Sequence, residues 1–154
     1  MTISPPAVFT HKSAVDRNIQ SALSSQKKDF GALACTRDAF DRILPFVLAG
    51  KTIRGCLTVY TYQLFSEPIS DVAYHCAAAI ELFHAGLLIH DDILDRATIR
   101  RSMPSIHSQY EQAASAQHGT DIAHYGISQA INLGDLCYFL GYSLLQSADT
   151  AITG

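Results

Sequence analysis

Apolar residues recur along this chain at helical intervals, with no convincing two-residue alternation of the kind strands show. The spacing predicts a first helix over about residues 11–28, broken by Gly31. A second follows over about 36–48 and ends at Ala49-Gly50; Pro45 lies inside it, so a kink or an early stop is expected. A third covers about 51–65, before Glu67 and Pro68 interrupt the chain. Ser70 suits the N-cap of a fourth helix, with Asp71 favourable in its first turn. That helix should reach about Asp95, and it is apolar on nearly every side (AYHCAAAIELFHAGLLIH), so it should be the buried centre. Residues 96–104 read as a loop, 105–125 as a polar connection, and 127–148 as a last, strongly apolar helix. The expected class is all-α, an antiparallel helical bundle. Its apolar last helix calls for more partners than five or so helices supply, so the chain reads as the first part of a larger bundle.

Composition narrows the function classes. A chain of 154 residues that is 48% hydrophobic supports one domain with a core. A formal net charge of -3 offers no basic field for nucleic acid. Cys35, Cys56, Cys76 and Cys137 form neither a C-x-x-C pair nor a zinc spacing. Among apolar neighbours they read as buried free thiols in a reducing compartment. The start, MTISPPAVFTHK, lacks a basic segment followed by an apolar run, so no signal peptide is expected. Apolar stretches are interrupted by His, Asp, Glu or Gln short of the roughly 20 residues that a membrane span needs. A soluble, cytoplasmic protein is the expectation.

Candidate chemistry lies on the fourth helix. At about 100° per residue, with Asp91 at zero, His84 falls near 20°, Asp95 near 40°, Glu81 near 80° and Asp92 near 100°. One stripe of a greasy helix therefore carries four carboxylates and a histidine. Crowded carboxylates repel and are costly to bury without cations. Oxygen-only ligands suit a hard ion, Mg²⁺ or Mn²⁺, and Mg²⁺ commonly completes its shell with water and substrate phosphate. Arg100 and Arg101 follow in the adjoining loop, and guanidinium forks match phosphate oxygens. Upstream, Lys51 and Arg54 sit three apart at a helix start, beside its positive end. Each feature alone reads more simply as an acidic helix end, surface charge or core histidine; their arrangement around one apolar helix is what points to a metal-bound phosphate beside a metal-free one.

These residues also carry a family resemblance. The run ELFHAGLLIHDDILDRATIRRSMPSIH, residues 81–107, resembles the first aspartate-rich region of the trans-prenyl diphosphate synthases. AGKTIRG, residues 49–55, resembles their GGKxxRP motif, and AINLGDLCYFLGYSLL, residues 130–145, is similar to their AI-x-x-GD helix. The motifs stand in the family's order and span most of the chain. The resemblance implies a bundle of the isoprenoid synthase type and a prenyltransferase. That enzyme condenses an allylic prenyl diphosphate with isopentenyl diphosphate into a longer trans-prenyl diphosphate. It implies that Asp91, Asp92 and Asp95 bind Mg²⁺ bridging to the allylic diphosphate, with Arg100 assisting. It implies that Lys51, Arg54, His84 and Arg101 bind isopentenyl diphosphate, and that the protein works as a homodimer.

The chain departs from the family pattern at several points. Ala49 and Gly55 replace the first Gly and the Pro of GGKxxRP, Ser102 replaces the Gly after the paired arginines, and the connection over 108–125 is long. The family's second aspartate-rich motif does not appear. The expectation is an incomplete prenyl synthase domain that, by itself, does not condense prenyl diphosphates. Gly86, small and one to two turns before Asp91, would leave a product tunnel open, with Phe83 closing it deeper and Leu87 beside them. A product of geranylgeranyl length or longer is expected; Gly86 as a close helix-packing position is the competing reading. Two other classes remain open: an HD-type metal-dependent phosphohydrolase built on His90-Asp91 with His75, His118 or His124, and a non-catalytic partner of a prenyl synthase.

Overall fold

The protein, described by a computed structural model covering residues 7–30, 32–115 and 121–153, is all-α apart from one minute hairpin. A 3-10 turn, Ala7–His11, leads into α1, Lys12–Phe30. Helices α2, Ala34–Leu48, and α3, Ile53–Gln63, follow with a 65° bend between them. Then come α4, Asp71–Leu94, the strands β1, Ile99–Arg100, and β2, Met103–Pro104, and finally α5, Ile106–Ser115, and α6, Ile122–Thr153.

Helix α4 is the centre, as its composition requires, and packs on α1, α2, α3, α5 and most extensively α6. Ser70 caps it as expected, its hydroxyl accepting from the Ala73 amide at 3.4 Å. Val15, Ile19 and Leu23 form a one-turn-spaced stripe on α1, and all are buried with Ile43 and Phe46 of α2 and Leu82 and Ile89 of α4. Burying each such side chain contributes about 1.5–3 kcal/mol. By length and composition α4 could cross a membrane, which the interrupting polar residues had argued against; here half of its most apolar stretch is buried inside the bundle.

The two longest helices run antiparallel and touch through glycines. A Cβ on Gly86 would lie 2.8 Å from the Gly134 carbonyl oxygen and 3.0 Å from Tyr138 Cε1. One on Gly134 would lie 2.2 Å from His90 Nε2, and one on Gly141 would lie 2.6 Å from Phe83 Cε1. Gly86 is thus a packing position. The space beside it is filled by α6, which removes the geometric premise of the open tunnel. Phe83 instead packs edge-on to Tyr142, ring centroids 5.0 Å apart, and Leu87 is half exposed.

Other expectations shift for local reasons. Pro45 does not stop α2, which continues to Leu48. The polar connection holds α5, whose Ile106, Tyr110 and Ala114 recur every fourth residue and are buried, and α6 begins five residues earlier than its apolar run suggested. Cys56 and Cys137 are buried free thiols, whereas Cys35 is exposed and Cys76 half-buried. Gly31 lies outside the described residues.

Replacing Gly86 with Ala should destabilise the bundle by roughly 2 kcal/mol, about 5 °C in Tm, because the obstructing atom is backbone and cannot swing aside. An unchanged thermal midpoint would refute this packing.

Candidate functional site

The acidic end of α4 closes with a Schellman turn. The Ala97 amide donates to the Asp92 carbonyl at 2.8 Å and the Arg96 amide to the Ile93 carbonyl at 3.2 Å. Arg96 takes the left-handed position, φ 53°, that glycine usually fills. The chain then folds back as the β1–β2 hairpin, pairing Arg100 with Met103, where a loop was expected. Its two central residues, Arg101 and Ser102, are both left-handed, φ 52° and 63°, the pattern of a type I′ turn. That pattern accounts for the family's glycine at the position of Ser102.

The hairpin brings Arg100 against Asp92. Arg100 Nε donates to Asp92 Oδ1 at 2.7 Å, and Asp92 is 1% exposed. Burial holds the Asp92 carboxyl above its ordinary value of 3.8, while Arg100 and His107 pull it down. Asp92 Oδ2 is buried with no hydrogen-bond partner. Asp91 and Asp95 are exposed on the same end of the helix. Among the described residues no three His, Cys, Asp or Glu side chains are gathered into a metal cage, so the carboxylate stripe is not assembled as a ready-made site. The donor set still fits Mg²⁺, which is often held by one or two carboxylates and completed by water and phosphate. An unpaired buried carboxylate oxygen beside exposed Asp91 is an acceptor of that kind.

One pocket of about 250 Å³ gathers the cationic residues: Lys51, Arg54, His84 and Arg101 all line it, with Thr52 and Glu81. Arg54 Nη1 donates to His84 Nε2 at 2.9 Å. Burial, then Arg54, Arg101 and Arg100, hold His84 below its ordinary value of 6.5, so the ring is neutral near pH 7 and can accept. Arg101 Nη1 donates to the Phe46 carbonyl at 3.2 Å, crossing Gly50, where a Cβ would lie 2.8 Å from that nitrogen. Glu81, given no individual role from sequence, is buried and accepts from the Gly55 amide at 2.7 Å. Proline, usual at that position in the family, has no such donor. His84 and Asp91 stand seven residues apart on α4, about 10 Å along the axis, so the two groups of charges are near neighbours.

His90 does not face these groups. Its Nε2 donates to the Ile131 carbonyl at 3.3 Å and lies 3.6 Å from Asp135 Oδ1, both on α6. His124 is exposed, His75 stands near the other end of α4, and His118 lies outside the described residues. The HD-type alternative is therefore not favoured. Sequence reasoning missed Thr52, Glu81 as a partner of Gly55, and His107 near Asp92; none stands in a spacing that announces contact.

The helical bundle, with paired arginines beside an acidic helix end, can be set beside known proteins. The polyprenyl synthetase family profile matches residues 38–153, most of the chain. The chain belongs to that family. Geranylgeranyl diphosphate synthase of Sulfolobus acidocaldarius is 33% identical over 103 residues, 67% of this chain and 26% of that protein. Short chain isoprenyl diphosphate synthase of Methanocaldococcus jannaschii is 42% identical over 89 residues, 58% of this chain and 22% of that protein. The crystal structure of geranylgeranyl pyrophosphate synthase from Corynebacterium glutamicum, complexed with isoprenyl diphosphate and magnesium, superposes with a TM-score of 0.81 at 26% identity. The superposition covers 93% of this chain and 42% of that one. The fold is thus of the isoprenoid synthase type, and the matches span about a quarter of the two relatives' length and 42% of the crystal structure's chain.

Two measurements test this geometry. Left-handed Ser102 carries a penalty of about 1–2 kcal/mol, of which glycine's extra unfolded freedom returns about 0.5–1, so Ser102→Gly should stabilise by roughly 0.5 kcal/mol in denaturant unfolding. A loss of stability would contradict the turn. Because the folded Asp92 value is raised, its contribution is fully present below 3.8 and is lost as pH rises through the folded value. Relative to wild type, Asp92→Asn should therefore gain stability with rising pH from about 4 upward. A difference that stays constant across pH would refute the buried-charge account.

Proposed function

We propose that this chain supplies the diphosphate-gripping part of a trans-prenyl diphosphate synthase, a prenyltransferase joining an allylic prenyl diphosphate to isopentenyl diphosphate. The observation that carries the reading is the convergence of Lys51, Arg54, His84 and Arg101 on one pocket, beside the Asp92–Arg100 end of α4. In this reading those four residues take isopentenyl diphosphate without metal. Asp91, Asp92 and Asp95 would hold Mg²⁺, or Mn²⁺, at the allylic diphosphate, and Arg100 would assist there.

Bound metal would neutralise the leaving diphosphate and favour ionisation of the allylic carbon–oxygen bond. The chain's own residues bind and position. Arg54 is aimed by neutral His84, Arg101 is anchored by the Phe46 carbonyl, and apolar flanks of α4 keep water from an allylic cation. The geranylgeranyl diphosphate synthases among the relatives support a product of geranylgeranyl length or longer. A homodimer in the cytoplasm, with α4 as a bundle core and no membrane span, completes the reading. Intact charged groups speak against a purely non-catalytic partner, which would not need them.

Calorimetric titration tests it. Isopentenyl diphosphate should bind in EDTA, and Arg54→Ala should weaken that binding at least about tenfold. An allylic diphosphate should bind only with Mg²⁺, and Asp91→Ala should abolish the metal effect. Binding of neither ligand would overturn the proposal.

A further inference from the structure

We propose that Asp16, acting with Lys12, is a positioning residue for the cationic pocket: it grips the Thr52 hydroxyl and so fixes the backbone that aims Lys51 and Arg54. The inference rests on the reading of that pocket as a diphosphate site. Thr52 lies at the 65° bend between α2 and α3, between Lys51 and the start of the helix that carries Arg54. Its φ of 54° and ψ of 37° are left-handed, an unusual and strained conformation for a β-branched residue. Thr52 is also 3% exposed, so solvent does not satisfy its hydroxyl. A strained residue persists only where its surroundings over-determine it.

The restraint comes from α1. Thr52 Oγ1 donates to Asp16 Oδ1 at 2.8 Å and accepts from Lys12 Nζ at 3.0 Å. Lys12 and Asp16 close the triangle with a 2.6 Å ion pair one turn apart. One residue earlier, His11 Nε2 donates to Gln63 Oε1 at 2.9 Å, at the far end of α3. Residues 11–16 thus hold α3 at both ends. The Thr52 carbonyl accepts from the Cys56 amide at 3.0 Å, opening the helix. If Thr52 relaxed to right-handed geometry, Lys51 would turn from the pocket and the first turn of α3 would carry Arg54 off His84. Thr52 lines the pocket whereas Asp16 and Lys12 stand behind it, so they act through Thr52.

The test uses the 154-residue chain, titrated with isopentenyl diphosphate in EDTA, and hydrogen exchange at residues 51–56. Asp16→Ala and Thr52→Ala should each weaken binding about tenfold, and the double variant should be no weaker than either alone, because both remove one linkage. Thr52→Ser, which keeps the hydroxyl, should bind like wild type. Exchange over 51–56 should quicken in Asp16→Ala while the core of α4 stays protected. Wild-type affinity in Asp16→Ala, additive losses, or loosening of α4 as well would overturn the positioning role. A wild-type chain that fails to bind isopentenyl diphosphate would overturn the pocket's reading, and this role with it.

Discussion

A helix buried by its neighbours yet charged along one side sets the terms for the rest of the molecule. α4 must be central because it is apolar nearly all round, and burial makes each of its polar groups a demand on another segment. Glu81 is met by the Gly55 amide, His84 by Arg54, and one oxygen of Asp92 by Arg100. These partners come from the start of α3 and from the hairpin after α4. The electrostatic needs of one helix therefore fix where the two motif-bearing segments sit, and the pocket forms where they meet.

Close approach of α4 and α6 supplies the rigidity behind this. Gly86, Gly134 and Gly141 leave no room for a Cβ, so the helices meet backbone against ring or carbonyl. His90, clasped by Ile131 and Asp135, lies directly before Asp91 and ties the acidic end of α4 to the neighbouring helix. Packing and chemistry are carried on adjacent positions of one element.

How much of this the sequence shows depends on how far each signal reaches. α4 was legible because its apolar run and the Ser70 cap are local. α5 was not: polar residues outnumber its buried Ile106, Tyr110 and Ala114, which read as isolated. The site residues were legible as residue types, and Lys51, Arg54, His84 and Arg101 do converge. Their supports were not. Asp92 and Arg100 are eight residues apart, a contact that no helical spacing foretells and that a hairpin creates. Left-handed Thr52 has no local cue, since its restraint lies 36 residues upstream on α1. Gly86 was readable as small, but whether it faced a tunnel or a helix depended on α6.

The tight turn at Arg101–Ser102 has a consequence for how the chain tolerates change in length. Two consecutive arginines leave the hairpin for different destinations, Arg100 to Asp92 and Arg101 across Gly50 to the Phe46 carbonyl. In an antiparallel pair, a shift of one residue sends every side chain to the opposite face. A single insertion or deletion here would thus exchange the destinations of both arginines at once, although every charged residue remained present. The separation of the two arginines is stored in the length of a two-residue turn rather than in the identity of any side chain.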